Sequence, residues 1–414
     1  MSDYLRRMVV LGPEGVITPW SPQDYRNNRR FFLETGTPWV RLWADWPTLQ
    51  PEPTPPDLGP GAGSLNALDE QIQAANADGV RVFLTSNRHP LWANGMATFN
   101  EEADAVWLIW DRVRWNGDVF KRKSKYYGMP LDLSLAGPYG QWLQFLANRY
   151  SRNNPLRKGV VDVLNFVNEP NHQLWPQMGD SDPALDENGP DEDPNPPWTP
   201  GPVTIHKRVA DMFETAHKVG ELNGWEPMMA GPSTADPTER GKGDRLFTPF
   251  EEFTELLLDE LNARNFPGHP RLVWTHHNFT DVEYDRGPGS ISGREVNGTA
   301  AVRQILTERG WKGWPSGDPA DAGVWVGEGG ARLQILPRVY KPLEPTRYRD
   351  PAFIRLKQAE HTQRDWDRML RSPGVGMVCA NFFYSVAIFD SGLLDPDGTR
   401  RPAFTTWKSL PVFR

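Results

Sequence analysis

Two glutamates in this chain end apolar runs where packing alone does not call for a charge. Val163-Leu164-Asn165-Phe166-Val167 delivers Asn168, Glu169 and Pro170, and Val324-Trp325-Val326-Gly327 delivers Glu328, followed by Gly329 and Gly330. One carboxyl that gives up a proton and a second that attacks, or activates water, are what cleavage of a glycosidic bond requires. An isolated Asn-Glu-Pro can equally end a strand at a turn, since Asn and Pro favour turns. The second glutamate in a like context, and Arg41 ending the run from Trp39, point to the catalytic reading. A cation beside a carboxyl favours its ionised form.

Metal chemistry finds little support in the same residues. His276 and His277 are adjacent, so on a strand they face opposite ways, and only one can enter a shared site. No His-Glu-x-x-His occurs, and the single Cys379 excludes a multi-cysteine metal site and an intrachain disulfide. Cys379 sits in an apolar run and reads as a buried small hydrophobe. Asp180 to Asp193 carries seven acidic residues and no basic one. Oxygen-rich loops bind calcium, but this spacing fits no EF-hand, and a solvated acidic loop is the better reading. Lys121-Arg122-Lys123 with Lys125 reads as a solvated basic face. No cofactor is expected.

The elements that must position the glutamates alternate short β-branched runs with longer helical stretches, the pattern of an α/β protein with a parallel sheet. Eight strands are predicted, over 8–11, 39–43, 80–85, 160–167, 228–231, 272–277, 323–327 and 376–383. Helices are predicted over 23–34, 65–77, 140–150, 205–222, 250–265, 299–309, 352–370 and 404–410. Eight such units without a GxGxxG turn favour a closed (β/α)8 TIM barrel over a doubly wound sheet. Both glutamates then fall at C-terminal strand ends, where a barrel builds its site. Two insertions follow the third strand (His89 to Leu133) and the fourth (Trp175 to Pro202), on loops that rim the mouth. No internal repeat or linker marks a second domain, so residues 1–414 are expected to form one catalytic domain.

Composition agrees with a globular enzyme. Hydrophobic residues make up 38% and charged residues 24%. The excess of 53 acidic over 45 basic residues gives a net charge of -8 and argues against a nucleic-acid partner, which needs a basic face. No apolar run is long enough for a membrane helix, and the run Met8 to Leu11 is too short for a signal-peptide core. A cytoplasmic location is expected unless a leader has been removed. The 18 tryptophans suit stacking on sugar rings, or equally the barrel core. Trp43, Trp46, Trp92 and Trp175 fall on segments expected near the mouth, where each can also pack loops.

The arrangement resembles the clan A retaining glycoside hydrolases. Gly327-Glu328-Gly329-Gly330 and the Val40-Arg41 strand end are similar to the cellulase family 5. Asn168-Glu169-Pro170-Asn171 followed by Trp175, with Gly231-Pro232 on the fifth strand, is similar to the β-xylosidase/iduronidase family 39. The resemblance runs from about Trp39 to Gly398. It implies double displacement on a β-linked glucan, xyloside or related glycoside, with carboxyl groups about 5 Å apart. Glu169 would be the acid/base and Glu328 the nucleophile. Asn168 would hold the sugar 2-OH, Arg41 and His277 would line the site, and His89, Trp175 and Tyr384 would contact substrate. The chain departs from the pattern at Phe279, where the clan places a tyrosine, and in Ala380-Asn381-Phe382-Phe383-Tyr384, where it often places a tryptophan. Two alternatives stay open: a carbohydrate-binding barrel without activity, and a metal-dependent barrel hydrolase.

Overall fold

A computed structural model describes residues 5–11, 24–94, 129–171, 205–235, 250–284, 298–381, 383–384 and 390–412. Eight parallel strands pair in sequence order and β1 (Arg6–Val10) pairs with β8 (Val375–Asn381), closing the barrel. Between them run β2 (Trp39–Asp45), β3 (Arg81–Asn87), β4 (Val163–Asn165), β5 (Met228–Thr234), β6 (Leu272–His277) and β7 (Val324–Glu328). The outer ring is α1 (Tyr25–Thr35), α2 (Ala62–Ala77), α3 (Pro138–Tyr150), α4 (Ile205–Leu222), α5 (Phe250–Ala263), α6 (Gly298–Glu308), α7 (Pro351–Arg371) and α8 (Pro402–Ser409). The predicted (β/α)8 barrel is therefore the observed fold.

Local chemistry sets several boundaries. Asp24 caps α1 by accepting from the Arg26 N–H at 2.8 Å, and Gly36 ends it at φ 61°, a conformation that suits a residue without Cβ. Asp350 caps α7 through the Ala352 N–H at 2.9 Å, with Pro351 opening the helix. Every residue of β2 and β6 is buried, as expected for strands covered on both faces. Inward side chains such as Met8, Val10, Trp39, Phe83, Val163, Val273 and Met377 fill the barrel interior. A larger apolar layer seals the strands against the helices.

The first strand begins two residues before its predicted start, because Arg7 is an outward strand residue rather than a flanking charge. Its guanidinium is buried between α1 and α8, donates to the Thr35 carbonyl at 2.8 Å and lies 5.5 Å from the Trp407 ring centroid. The fourth strand is shorter than the predicted 160–167 run. Its continuation still bonds β5, with Phe166 N–H to the Ala230 carbonyl and Glu169 N–H to the Ser233 carbonyl, both at 3.0 Å. Glu169 itself takes φ 49°, which breaks the regular ladder and turns its side chain. β5 and β2 run further towards the mouth than predicted, to Thr234 and Asp45.

Of the first insertion, 89–94 and 129–133 are described, including a helical turn at Leu91–Asn94. The helical stretch expected at Glu101 to Arg114, the basic run from Lys121, Trp175 and the acidic stretch from Asp180 lie outside the described residues. Among the described residues no helix is long and apolar enough to cross a membrane.

Candidate active site

The inward face of β2 rises as Trp39, Arg41, Trp43 and Asp45, one residue per layer towards the C-terminal mouth. Arg41 is the hub. It is fully buried, and its Nε donates to Thr85 Oγ1 on β3 at 2.7 Å. Nη1 donates to the Gly327 carbonyl at 2.9 Å and to Glu328 Oε1 at 3.0 Å. Nη2 donates to Asn168 Oδ1 at 2.6 Å. An arginine only donates, so that last bond fixes Oδ1 as the amide oxygen and leaves the Asn168 NH2 as a donor for other groups.

His277, ending β6, joins the two glutamates. Nδ1 lies 2.8 Å from Glu169 Oε1, and Nε2 lies 3.3 Å from Arg41 Nη1 and 3.9 Å from Glu328 Oε1. Burial, with the Arg41 charge adding to it, lowers the imidazole to a pKa of about 3, against a smaller opposing pull from Glu328. The ring is therefore neutral near pH 7. A proton on Nε2 would point at the guanidinium cation, so the tautomer with the proton on Nδ1, donated to Glu169, is the favoured one. His276 points the other way, bonds Thr234 Oγ1 at 2.8 Å and packs on Phe250 of α5, as strand alternation predicts.

One donor atom each from Glu169, His277 and Glu328 falls within a mutual 4.8 Å. Arg41 already places a fixed cation against Glu328 and His277, so this cluster carries its own positive charge and suits proton transfer better than ion binding. Glu328 is pushed above the usual carboxylate range, chiefly by burial; His277 and Arg41 pull it down, and Glu169 pushes it up. Glycines leave room for this packing. A Cβ on Gly327 would lie 3.2 Å from His277 Nε2, and one on Gly329 would lie 2.2 Å from Asn278 Oδ1.

Not every expected residue joins the cluster. His89 is buried in an aromatic nest, 5.8 Å from the Trp46 ring and 6.4 Å from Tyr139. Tyr384 turns outward onto α1, with its ring 5.8 Å from Phe31 and its hydroxyl 3.5 Å from Arg30 Nη2. The chain leaves the barrel wall after β8, which carries that tyrosine to the helical layer instead of the mouth. Trp46 stacks on Trp142 of α3 at 5.3 Å, and Trp92 donates to the Gln50 carbonyl at 3.1 Å, so the first packs a helix and the second a loop. Cys379 is buried, with Sγ 2.9 Å from the Val326 carbonyl, as its apolar run predicts.

Three supporting residues escaped the sequence reading. Thr85 fixes Arg41, and its signal was only an inward position on β3, opposite Trp43 in register. Asn278 donates its N–H to the Glu328 carbonyl at 3.1 Å and its side-chain amide to Asp365 on α7 at 3.1 Å. Asp365 shares a buried helical face with Ile354, Gln358 and His361, a spacing that marks it as an interior acid.

The molecule is thus a (β/α)8 barrel that presents two glutamates at the C-terminal side of its strands, above an arginine buried midway along β2 rather than at the strand end that the sequence suggested. No protein-family model and no curated protein sequence matches the chain. Solved structures of glycoside hydrolases do share its fold. A family 5, subfamily 18 glycoside hydrolase from Streptomyces cattleya, in complex with GlcNAc, aligns over 100% of this chain and 82% of its own, with TM-score 0.51 and 16% identity. A subfamily 18 structure from Bifidobacterium longum subsp. infantis aligns over 97% and 77%, with TM-score 0.50 and 15% identity. A family 39 glycoside hydrolase from Bacteroides cellulosilyticus aligns over 98% of this chain but only 63% of its own length, with TM-score 0.50 and 10% identity. These likenesses are to the two families that the glutamate motifs resemble, and at such identities they speak for the fold.

Proposed function

We propose that this chain is a retaining glycoside hydrolase, with Glu169 as acid/base and Glu328 as nucleophile, acting on β-linked O-glycosides from one catalytic domain. The observation that carries the reading is that one oxygen of Glu169, after β4, and one of Glu328, on β7, come within 4.8 Å of each other, too close to seat a water between the two carboxyls. Inverting enzymes keep the pair roughly 6.5–9.5 Å apart to admit a water, whereas retaining enzymes hold it at about 5 Å.

In this reading Glu169 protonates the glycosidic oxygen as Glu328 attacks the anomeric carbon, so the aglycone leaves as an alcohol and a glycosyl ester forms on Glu328. Water then attacks that carbon, Glu169 takes the proton, and the ester breaks to release the sugar. His277 donates to Glu169 Oε1, which leaves the other carboxyl oxygen to carry the transferred proton. Arg41 donates to both Glu328 and the Asn168 amide oxygen, and the Asn168 NH2 donates to the sugar 2-OH. That contact strengthens in the transition state. Proton NMR of the first-formed sugar from an aryl β-glycoside tests the mechanism. A β-anomer that later mutarotates is expected, and an initial α-anomer overturns retention.

A further inference from the structure

Above Arg41 on the same inward face of β2 stand two groups that the reaction does not use. Trp43 is two residues nearer the mouth, roughly 7 Å along the strand. Its ring lies over Arg41, with the guanidinium carbon 4.4 Å from the centroid. Its indole nitrogen is shielded from solvent and finds no acceptor among the described residues. The nitrogens of Trp274, Trp311 and Trp325 share that state, but Trp274 and Trp311 pack in the outer core and Trp325 sits on the barrel floor against Trp39. Trp43 alone among them lies on the mouth side of Arg41. A buried donor without a partner costs about 1–3 kcal/mol, so it calls for an acceptor.

Asp45 follows two residues further up. Arg88, itself held at φ 54°, forks onto it from the β3 end, Nε to Oδ1 at 2.6 Å and Nη2 to Oδ2 at 2.5 Å. Thr48 Oγ1 donates to Oδ2 at 2.5 Å. A carboxylate offers about four acceptor directions, and these bonds fill three, leaving one on Oδ1. The pair keeps 9% and 17% of its side-chain surface exposed, so a ligand can reach it.

A donor lacking an acceptor and a carboxylate oxygen with one acceptor direction unfilled, two residues apart on one strand face, match a group that both donates and accepts. A neutral sugar hydroxyl is such a group; a carboxylate or phosphate ligand is repelled by Asp45. Resting on the hydrolase reading above, we infer that Trp43 and Asp45 form a glycone subsite for one hydroxyl, or a vicinal pair, other than the 2-OH. Trp43 Nε1 donates to the sugar oxygen, Asp45 Oδ1 accepts its proton, and Arg88 is a positioning residue for Asp45.

The test is a cycle of variants against monodeoxy versions of whichever aryl β-glycoside the wild type hydrolyses best. Deleting one hydroxyl other than the 2-OH is expected to cost the wild type at least about tenfold in kcat/KM, as for a bond to a charged group. Asp45→Asn and Trp43→Phe each start from a lower rate, yet lose less than about twofold from that same deletion, while their penalties at other hydroxyls match the wild type. Either variant suffices if the other fails to fold. Penalties preserved at every hydroxyl, with only a uniform fall in rate, assign both residues to packing and overturn the subsite. A wild type that hydrolyses no β-glycoside overturns the hydrolase reading and the subsite with it.

Discussion

Arg41 donates from Nη1 to Glu328 Oε1 across 3.0 Å, and this is the only hydrogen bond to that carboxylate from a side chain among the described residues. The clan places a tyrosine two residues after the β6 histidine; here Phe279 stands there, buried, with the Arg332 guanidinium 5.3 Å from its ring. A phenyl ring donates nothing to the nucleophile. Burial raises the Glu328 carboxyl, and His277 and Arg41 are the groups that oppose it. His277 can oppose it only while protonated, and its pKa of about 3 leaves it neutral near pH 7, so there the opposing charge is that of Arg41.

Arg41→Met therefore raises the pH at which Glu328 ionises, and the acidic limb of kcat/KM moves upward. The loss at the pH optimum is expected to exceed about 1.4 kcal/mol, a tenfold fall, because Asn168 also loses the donor that orients it. Removing one partner of a buried ion pair is destabilising as well, so the melting temperature must be followed alongside. An unmoved acidic limb in a folded Arg41→Met enzyme places the stabilising charge elsewhere.

The two glutamates should fail in different ways. Glu328→Gln keeps the shape but cannot attack, so turnover stops for every leaving group. Glu169→Ala still permits attack when the aglycone leaves without protonation. Activated aryl glycosides are then expected to release a burst of phenol, and azide should restore breakdown of the ester by replacing the water that needs a base. Identical responses to leaving group and azide would contradict the assignment of roles.

How much of this was legible beforehand follows from what periodicity records. Both glutamates and His277 were visible because each ends an apolar run, and a strand end in a barrel is a defined place; Arg41 stood out as a charge inside one, since β2 continues past it to Asp45. The β6 span matched its prediction to the residue, since its bounds coincide with Arg271 and Asn278. β1 and β4 were displaced because Arg7 is buried by tertiary contacts and Glu169 adopts a positive φ, and neither shows in a hydrophobic pattern. Tyr384 was misplaced for a related reason: the point where a chain leaves the barrel wall is set by packing against α1, not by local sequence. The hub role of Arg41 depends on Thr85, Gly327 and Asn168 converging from three strands, which no single stretch encodes.

Buried titrating groups behind the site predict how stability follows pH. Burial lowers His276 and His277 from 6.5 to about 3 each. Burial raises Asp365 from 3.8 to about 7, with Asp281 adding and Arg368 and Asn278 opposing. For the histidines the unfolded chain binds more protons, so their contribution is present above pH 6.5 and fades as pH falls. For Asp365 the folded chain binds more, so its contribution is present below 3.8 and is lost as pH rises through about 7. Asp365→Asn removes that native proton while its side-chain oxygen can still accept from Asn278. Stability of the variant should then climb more steeply than wild type between about pH 4 and 7, by about 1.4 kcal/mol per pH unit for one proton. The variant should match the wild type near pH 4 and exceed it at pH 8 in urea midpoints. Parallel curves across that range would mean that Asp365 is ionised in the folded protein at every pH examined, held so by Arg368 and Asn278 against its burial.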